Sequence, residues 1–328
     1  MSSSFDLDTQ SAELTVKKTD AFKASVGQPK RSNSPFSSKR WRRDLIALII
    51  FTGPAILWYL FFMVGPFASM FYYSTLNWGS LLAPKYFDGL HNYTYMFNDP
   101  TFYIALRNTA VHIGVTIPIL IPISFLLGYY LSLRPPGYQF LNVVCFTPTL
   151  MSAVAATMLF IGIYAPNGII NALLNAVHLQ ALTHLWNADT STALGSIIGI
   201  NLWGGIGFCA VVFAARLSGI SSELYEAAQI DGATHWEKIR FIAFPMARDF
   251  VGVMTMLQFL GLLLGSAQTV LLLTKGGPGT SSTTISFLLY NEAFVSSHLG
   301  YSQAIGTFLF FVSVLGMLLI RSLFRPAY

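Results

Sequence analysis

The sequence predicts an all-α membrane protein with six transmembrane helices. Two observations carry that prediction. Of its 328 residues, 54% are hydrophobic and only 10% are charged, whereas a soluble domain carries about 25% charged residues. The apolar residues also gather into separate runs, each reaching the ~20 residues that a helix needs to cross a bilayer. The chain divides into a polar tail, residues 1–38, and a transmembrane domain, residues 39–328.

The tail is rich in Ser, Lys, Asp and Thr and has no sustained apolar period, a composition expected to stay disordered. It is no secretory signal, because the apolar run behind it starts too late and is too long. The cluster Lys39-Arg40-Trp41-Arg42-Arg43 stands where a basic anchor holds a first span at the inner face. Spans follow at about 45–73, 104–133, 141–164, 194–215, 250–273 and 302–323. Pro54, Pro66, Pro118 and Pro122 fall in the first two, and kinks are expected there. The stretch 284–294 reads as a short helix near the outer surface before the last span.

With the N-terminus inside, 16 of the 19 Lys and Arg residues face the inner side; Lys85, Arg107 and Lys275 face out. That asymmetry places both termini and the loop 216–249 in the cytoplasm.

Several function classes are disfavoured. The net charge of +5 is no nucleic-acid signal, since nine of the basic residues precede Asp44 and no basic patch is interleaved with aromatics. Cys145 and Cys209 lie inside apolar segments and read as small buried hydrophobes. No catalytic constellation and no metal-ligand spacing is present, so the chain reads as neither enzyme nor metal protein. Lys275-Gly276-Gly277-Pro278-Gly279 is a turn rather than a phosphate cradle, and there is no Walker loop with which to hydrolyse ATP. An ion-coupled secondary transporter is the alternative reading. It calls for acids or broken helices at the midplane, and no acid lies well inside any span.

The loop 216–249 holds most of the charge in the second half of the chain. Ser221 and Ser222 ahead of Glu223 suit a helix N-cap, and Ala227 and Ala228 sit inside a helix of about two turns. Asp231-Gly232 ends it, glycine supplying a left-handed residue. Thr234-x-x-Glu237 is a capping box that opens a second helix. Trp236, Ile239 and Ala243 share one face of that helix by α-helical spacing, and Pro245 closes the unit or starts the next helix. Small residues at the tip let another surface approach closely, which suits docking.

This run resembles the signature of the permease subunits of bacterial ABC importers. Glu226, Ala227, Ala228, Asp231, Gly232, Ala233, Ile239, Ile242, Phe244 and Pro245 fill the pattern, with Phe244 where Leu is commoner. Leu273-Thr274-Lys275-Gly276-Gly277-Pro278-Gly279 with Thr283-Thr284 is similar to a stretch of maltose-permease-type subunits. The resemblance implies a type I permease fold in a bacterial cell membrane, with cytoplasmic coupling helices. It implies as partners a second, similar permease, two ATPase subunits that bind ATP and Mg, and an extracellular sugar-binding protein. Surrounding lipid is implied as well; a cofactor within this chain is not. Glu226 would pair with the ATPase, and Gly232 would make the turn between the two short helices.

Polar residues within spans are candidates for a substrate path: Asn108, His112, Asn201, Gln258, Ser266 and Gln268. Each of them could instead bond to a neighbouring helix. Trp203-Gly204-Gly205-Ile206-Gly207-Phe208 joins glycines to aromatics suited to a sugar ring, and by resemblance the positions of Gly205 and Phe208 line the sugar site. In the fifth span Leu262 to Ser266 departs from the asparagines and phenylalanine of the family site, and only Ser266 keeps a hydrogen-bonding group. The predicted path is Trp203, Gly205, Phe208, Gln258, Leu262, Ser266 and Gln268. The spans lack the Arg cluster that an anionic ligand would favour.

Overall fold

The structure, a computed structural model, describes residues 38–325, with side chains from Leu45 onward. The expected tail and the side chains of the basic cluster before Asp44 lie outside the described residues. The chain divides into two compact units after Pro66. The first holds α1 (Ser38–Tyr59) and a π turn, Leu60–Val64. Most of its side chains from Leu45 onward are exposed.

The helix α2 (Gly65–Tyr73) follows. The second unit continues with a two-residue hairpin pairing Leu76–Asn77 with Tyr86–Phe87 and the short α3 (His91–Asn98). The helix α4 (Pro100–Ser132) follows, capped by Asp99, whose side chain accepts from the Thr101 amide. Next come α5 (Tyr138–Leu150), α6 (Ala153–Ile163), α7 (Ile169–Ala176) and α8 (Ala193–Leu217). The loop helices are α9 (Ser222–Ile230) and α10 (His235–Lys238). The long α11 (Phe244–Leu273), α12 (Ile285–Phe294) and α13 (Leu299–Leu323) complete the chain.

Among the described residues five helical stretches are long and apolar enough to cross a membrane, and the bent pair α5–α6 makes a sixth if it is taken as one span. The third predicted span is therefore not one helix. It breaks at Met151–Ser152 with a bend of 100°. Met151 is extended, and the Ser152 side chain accepts from the Ala155 amide to start α6. A run judged on apolar content alone conceals such a polar cap.

The α4–α8–α5 contact is built on glycines. Gly128 of α4 lies against Phe213 and the Ala210 carbonyl of α8, and Gly207 of α8 lies against the Cys145 carbonyl of α5, with no room for a Cβ. Small residues of this kind are what allow close helix contact in lipid, where apolar burial gives no net drive. Around the first contact, Phe125, Phe213 and Leu217 form part of one buried cluster.

The short helix expected near the outer surface is α12, capped by Thr284. Its first turn is buried, Ile285 and Leu288 packing with Phe102 and Ile305. Only its far end reaches the surface, with Phe294 exposed.

Candidate functional site

The loop unit takes the predicted form of helix, turn and helix. Ser221 accepts from the Glu223 amide at 3.3 Å to start α9. At its end the Ala233 amide donates to Ala228 at 2.8 Å and the Gly232 amide to Gln229 at 3.1 Å. These two bonds make a Schellman motif, with Gly232 at φ +80°. The capping box also forms: the Thr234 amide donates to Glu237 Oε2 at 2.7 Å, and the Glu237 amide to Thr234 Oγ1 at 3.3 Å. The Thr234 backbone N–H and then its hydroxyl hold the Glu237 carboxyl below the usual carboxylate range. Lys238, buried, donates from Nζ to Gln229 Oε1 at 3.3 Å and ties the two helices together.

The outer side of the unit is open. Glu226, Ala227, Asp231 and Gly232 are exposed, and so are Ile230 at 86% and Trp236 at 63%. Glu226 also borders a cavity of about 320 Å³ with Arg134, Tyr225 and Gln229. Burial pushes the Tyr225 phenol up to about 12.

The shared face expected for Trp236, Ile239 and Ala243 does not form. Trp236 is exposed, while Ala243 is fully buried. Between them the helix takes a π turn, Ile239–Ala243, in which the Phe244 amide donates to Ile239, five residues back. The cause is Pro245, which has no N–H and whose ring crowds the carbonyl four residues before it. A wider turn relieves that crowding and adds one residue to the period. The same solution precedes Pro66, where Gly65 donates to Leu60. Pro245 thus stands at the start of α11, and the helical path runs unbroken from His235 to Leu273.

Within the membrane, Trp203, Gly205, Gln258 and Leu262 line one cavity of about 290 Å³. Asn201 joins them, together with Thr149 and Thr157 from either side of the bent span. Neither threonine was marked in the sequence; the helix break that places them could have been found from Ser152 as an N-cap. Phe208 points instead into the buried cluster around Phe213. Ser266 is tied to Thr284 Oγ1 at 3.0 Å and Ser286 Oγ at 2.7 Å. Gln268 is exposed on α11 away from this cavity. Asn108 donates to the carbonyls of Thr280, Ser281 and Thr283 at 3.0–3.1 Å and fixes the loop after α11. His112 meets Asn201 across the α4–α8 contact.

Family and relatives together make this chain a membrane transport subunit of the ABC importer type. Its fold matches that of a bacterial ABC transporter involved in the import of the acidic polysaccharide alginate. The TM-score is 0.75 at 22% identity, over 88% of this chain and 97% of that one. In sequence, the family "Binding-protein-dependent transport system inner membrane component" matches residues 102–327. The chain belongs to this family. It is 32% identical to a probable ABC transporter permease protein, YurN, of Bacillus subtilis (strain 168), over 81% of this chain and 91% of that protein. It is also 29% identical to the diacetylchitobiose uptake system permease protein NgcF of Streptomyces coelicolor (strain ATCC BAA-471 / A3(2) / M145), over 92% and 87% respectively.

Proposed function

We propose that this chain is the permease subunit through which an ATP-driven importer carries a sugar or oligosaccharide across a bacterial cell membrane. Both of its termini lie in the cytoplasm. One observation carries the reading: the exposed loop unit is joined to the cavity by continuous helix. A push on the unit near Gly232 moves α11, and with it Gln258 and Leu262, because no flexible loop absorbs the motion between His235 and Leu273.

In this reading Glu226, Ala227, Ala228, Asp231, Gly232 and Ala233 form the seat for a cytoplasmic ATPase subunit, with Ile230 and Trp236 as apolar anchors. Two ATPase copies bind ATP and Mg and drive this chain together with a second, similar permease. An extracellular binding protein delivers the ligand. Support for a sugar comes from the cavity, where Trp203 offers an aromatic ring beside two amides, and from the diacetylchitobiose uptake of the relative named above.

Purification of the assembly through this chain, followed by identification of the co-purifying subunits, tests the reading. ATPase and permease partners are expected. In that assembly Glu226→Ala and Gly232→Pro should uncouple ATP hydrolysis from uptake while the chain remains inserted. Normal uptake by the Gly232→Pro variant would overturn the assignment of the loop.

A further inference from the structure

A second cavity, lined almost wholly by carbon, lies where the loop unit joins the bundle. Ile121 and Phe125 of α4, Ile239 and Phe244 at the π turn, and Phe324 behind α13 enclose a groove of about 380 Å³. The Phe324 wall is fixed in place. Arg248 donates from Nη2 to the Leu323 carbonyl at 3.0 Å, and Phe324 lies against Gly252 with no room for a Cβ. The α4 and α11 sides are open, with Leu126 exposed at 42% and Phe244 at 41%. Arg240 is the one charged residue in the lining, and no acid joins it there. Its guanidinium stands over the Phe241 ring at 5.6 Å. It has no hydrogen bond or ion pair among the described residues. Arg216, by contrast, donates to the Met246 carbonyl at 3.0 Å.

We propose that this groove binds an anionic phospholipid, with an acyl chain against Phe125, Phe244 and Phe324 and the phosphate on the Arg240 guanidinium. Apart from Arg240 and the Trp236 indole, no lining side chain can hydrogen-bond. A sugar or an extended peptide laid there would leave its polar groups unpaired, whereas an acyl chain has none to pair. The guanidinium is weakly hydrated and presents two N–H groups to one phosphate, and a basic pocket between spanning helices suits a lipid headgroup. The bound chain would pack on Ile239 and Phe244, the two residues joined by the π-turn bond, and stiffen the junction they form. Binding at this site is independent of the cargo; its effect on coupling rests on the importer reading.

The test uses the complete assembly in vesicles that contain phosphatidylglycerol or phosphatidylcholine with a photoreactive acyl chain. After illumination, the label is mapped on the peptides that carry Phe125, Phe244 and Phe324. Phosphatidylglycerol should label them severalfold more than phosphatidylcholine. Arg240→Gln should abolish that preference, and Leu126→Trp, which fills the groove from its exposed side, should lower labelling by phosphatidylglycerol. Equal labelling by the two lipids, or a preference that survives in Arg240→Gln, overturns the proposal. Label from neither lipid overturns it too, the outcome expected if the ATPase subunit or the second permease covers the groove. Assembly of each variant is verified by co-purification of its partner subunits; should Arg240→Gln fail to assemble, Leu126→Trp decides, and undiminished labelling in that variant overturns the site. Adding phosphatidylglycerol to phosphatidylcholine vesicles should also raise uptake per ATP hydrolysed in wild type but not in Arg240→Gln. An equal gain in both overturns the stiffening of the junction. Selective labelling in an assembly that takes up no sugar supports the lipid site and overturns only the sugar-import reading.

Discussion

The Phe244 amide reaches back five residues to the Ile239 carbonyl, and this one bond links the loop unit to the helix that lines the cavity. It lets the chain pass Pro245 without a break. It also sets the rotation of α10 relative to α11, since one extra residue turns the helix face by about 100°.

Pro245→Ala removes the cause of the wide turn. The segment should then regularise and carry Trp236 to a different side of the helix. Uptake per ATP hydrolysed is expected to fall severalfold, read by parallel uptake and phosphate-release assays on the whole assembly, with no loss of thermal stability. An unchanged ratio would show that the π turn has no part in coupling.

Gly232 sits at φ +80° with open space where a Cβ would go, so its substitution is limited by backbone conformation rather than by crowding. Gly232→Val should destabilise the turn by about 1–2 kcal/mol, and Gly232→Asn by less. Hydrogen exchange at the Gly232 and Ala233 amides, which close the Schellman motif, reads the difference.

The capping box gives the loop a pH dependence. The Glu237 carboxyl is held below its usual range in the folded unit. Its contribution is therefore complete above the ordinary glutamate value of about 4.3 and is lost as pH falls through the lower folded value. Exchange of the Thr234 amide should accelerate over that acidic window. Glu237→Gln keeps the cap and should abolish this dependence, which the same exchange experiment would reveal.

Asn108→Leu should loosen the loop after α11. Its amide nitrogen serves three carbonyls, and its loss is expected to cost about 1–3 kcal/mol, taking hydrogen bonds in a membrane protein at roughly 0.6–1.7 kcal/mol each. Thermal denaturation in detergent measures the loss. The half-saturating ligand concentration should not move, because Asn108 does not line the cavity.

The loop unit was legible in the sequence because its signals are local. Ser221, Gly232, Thr234 and Glu237 act within two to five residues along the chain, and each bond they predict is made. The π turn was not read, although Pro245 announces it, because a strict α-helical period was carried through the proline. The lining of the cavity was only partly legible. Ser266 and Asn108 look like cavity residues in isolation, yet their partners lie 18 to 175 positions away. Phe208 packs against the core for the same reason: which faces of α8 meet α4 and α5 is decided by where Gly128 and Gly207 permit contact. The contact of Asn201 with His112 spans 89 positions.

The most direct test of the account is the distance between spin labels at Trp236 and Leu257, both exposed and on either side of the π turn. It is measured in the whole assembly without nucleotide and with ATP trapped, beside a reference pair at Leu257 and Val143 of α5. If the loop unit and the cavity helix move as one body, the first distance stays fixed while the second changes. A change in the Trp236–Leu257 distance approaching one helical turn, about 5 Å, would show that the π turn yields and would contradict transmission of motion through α11.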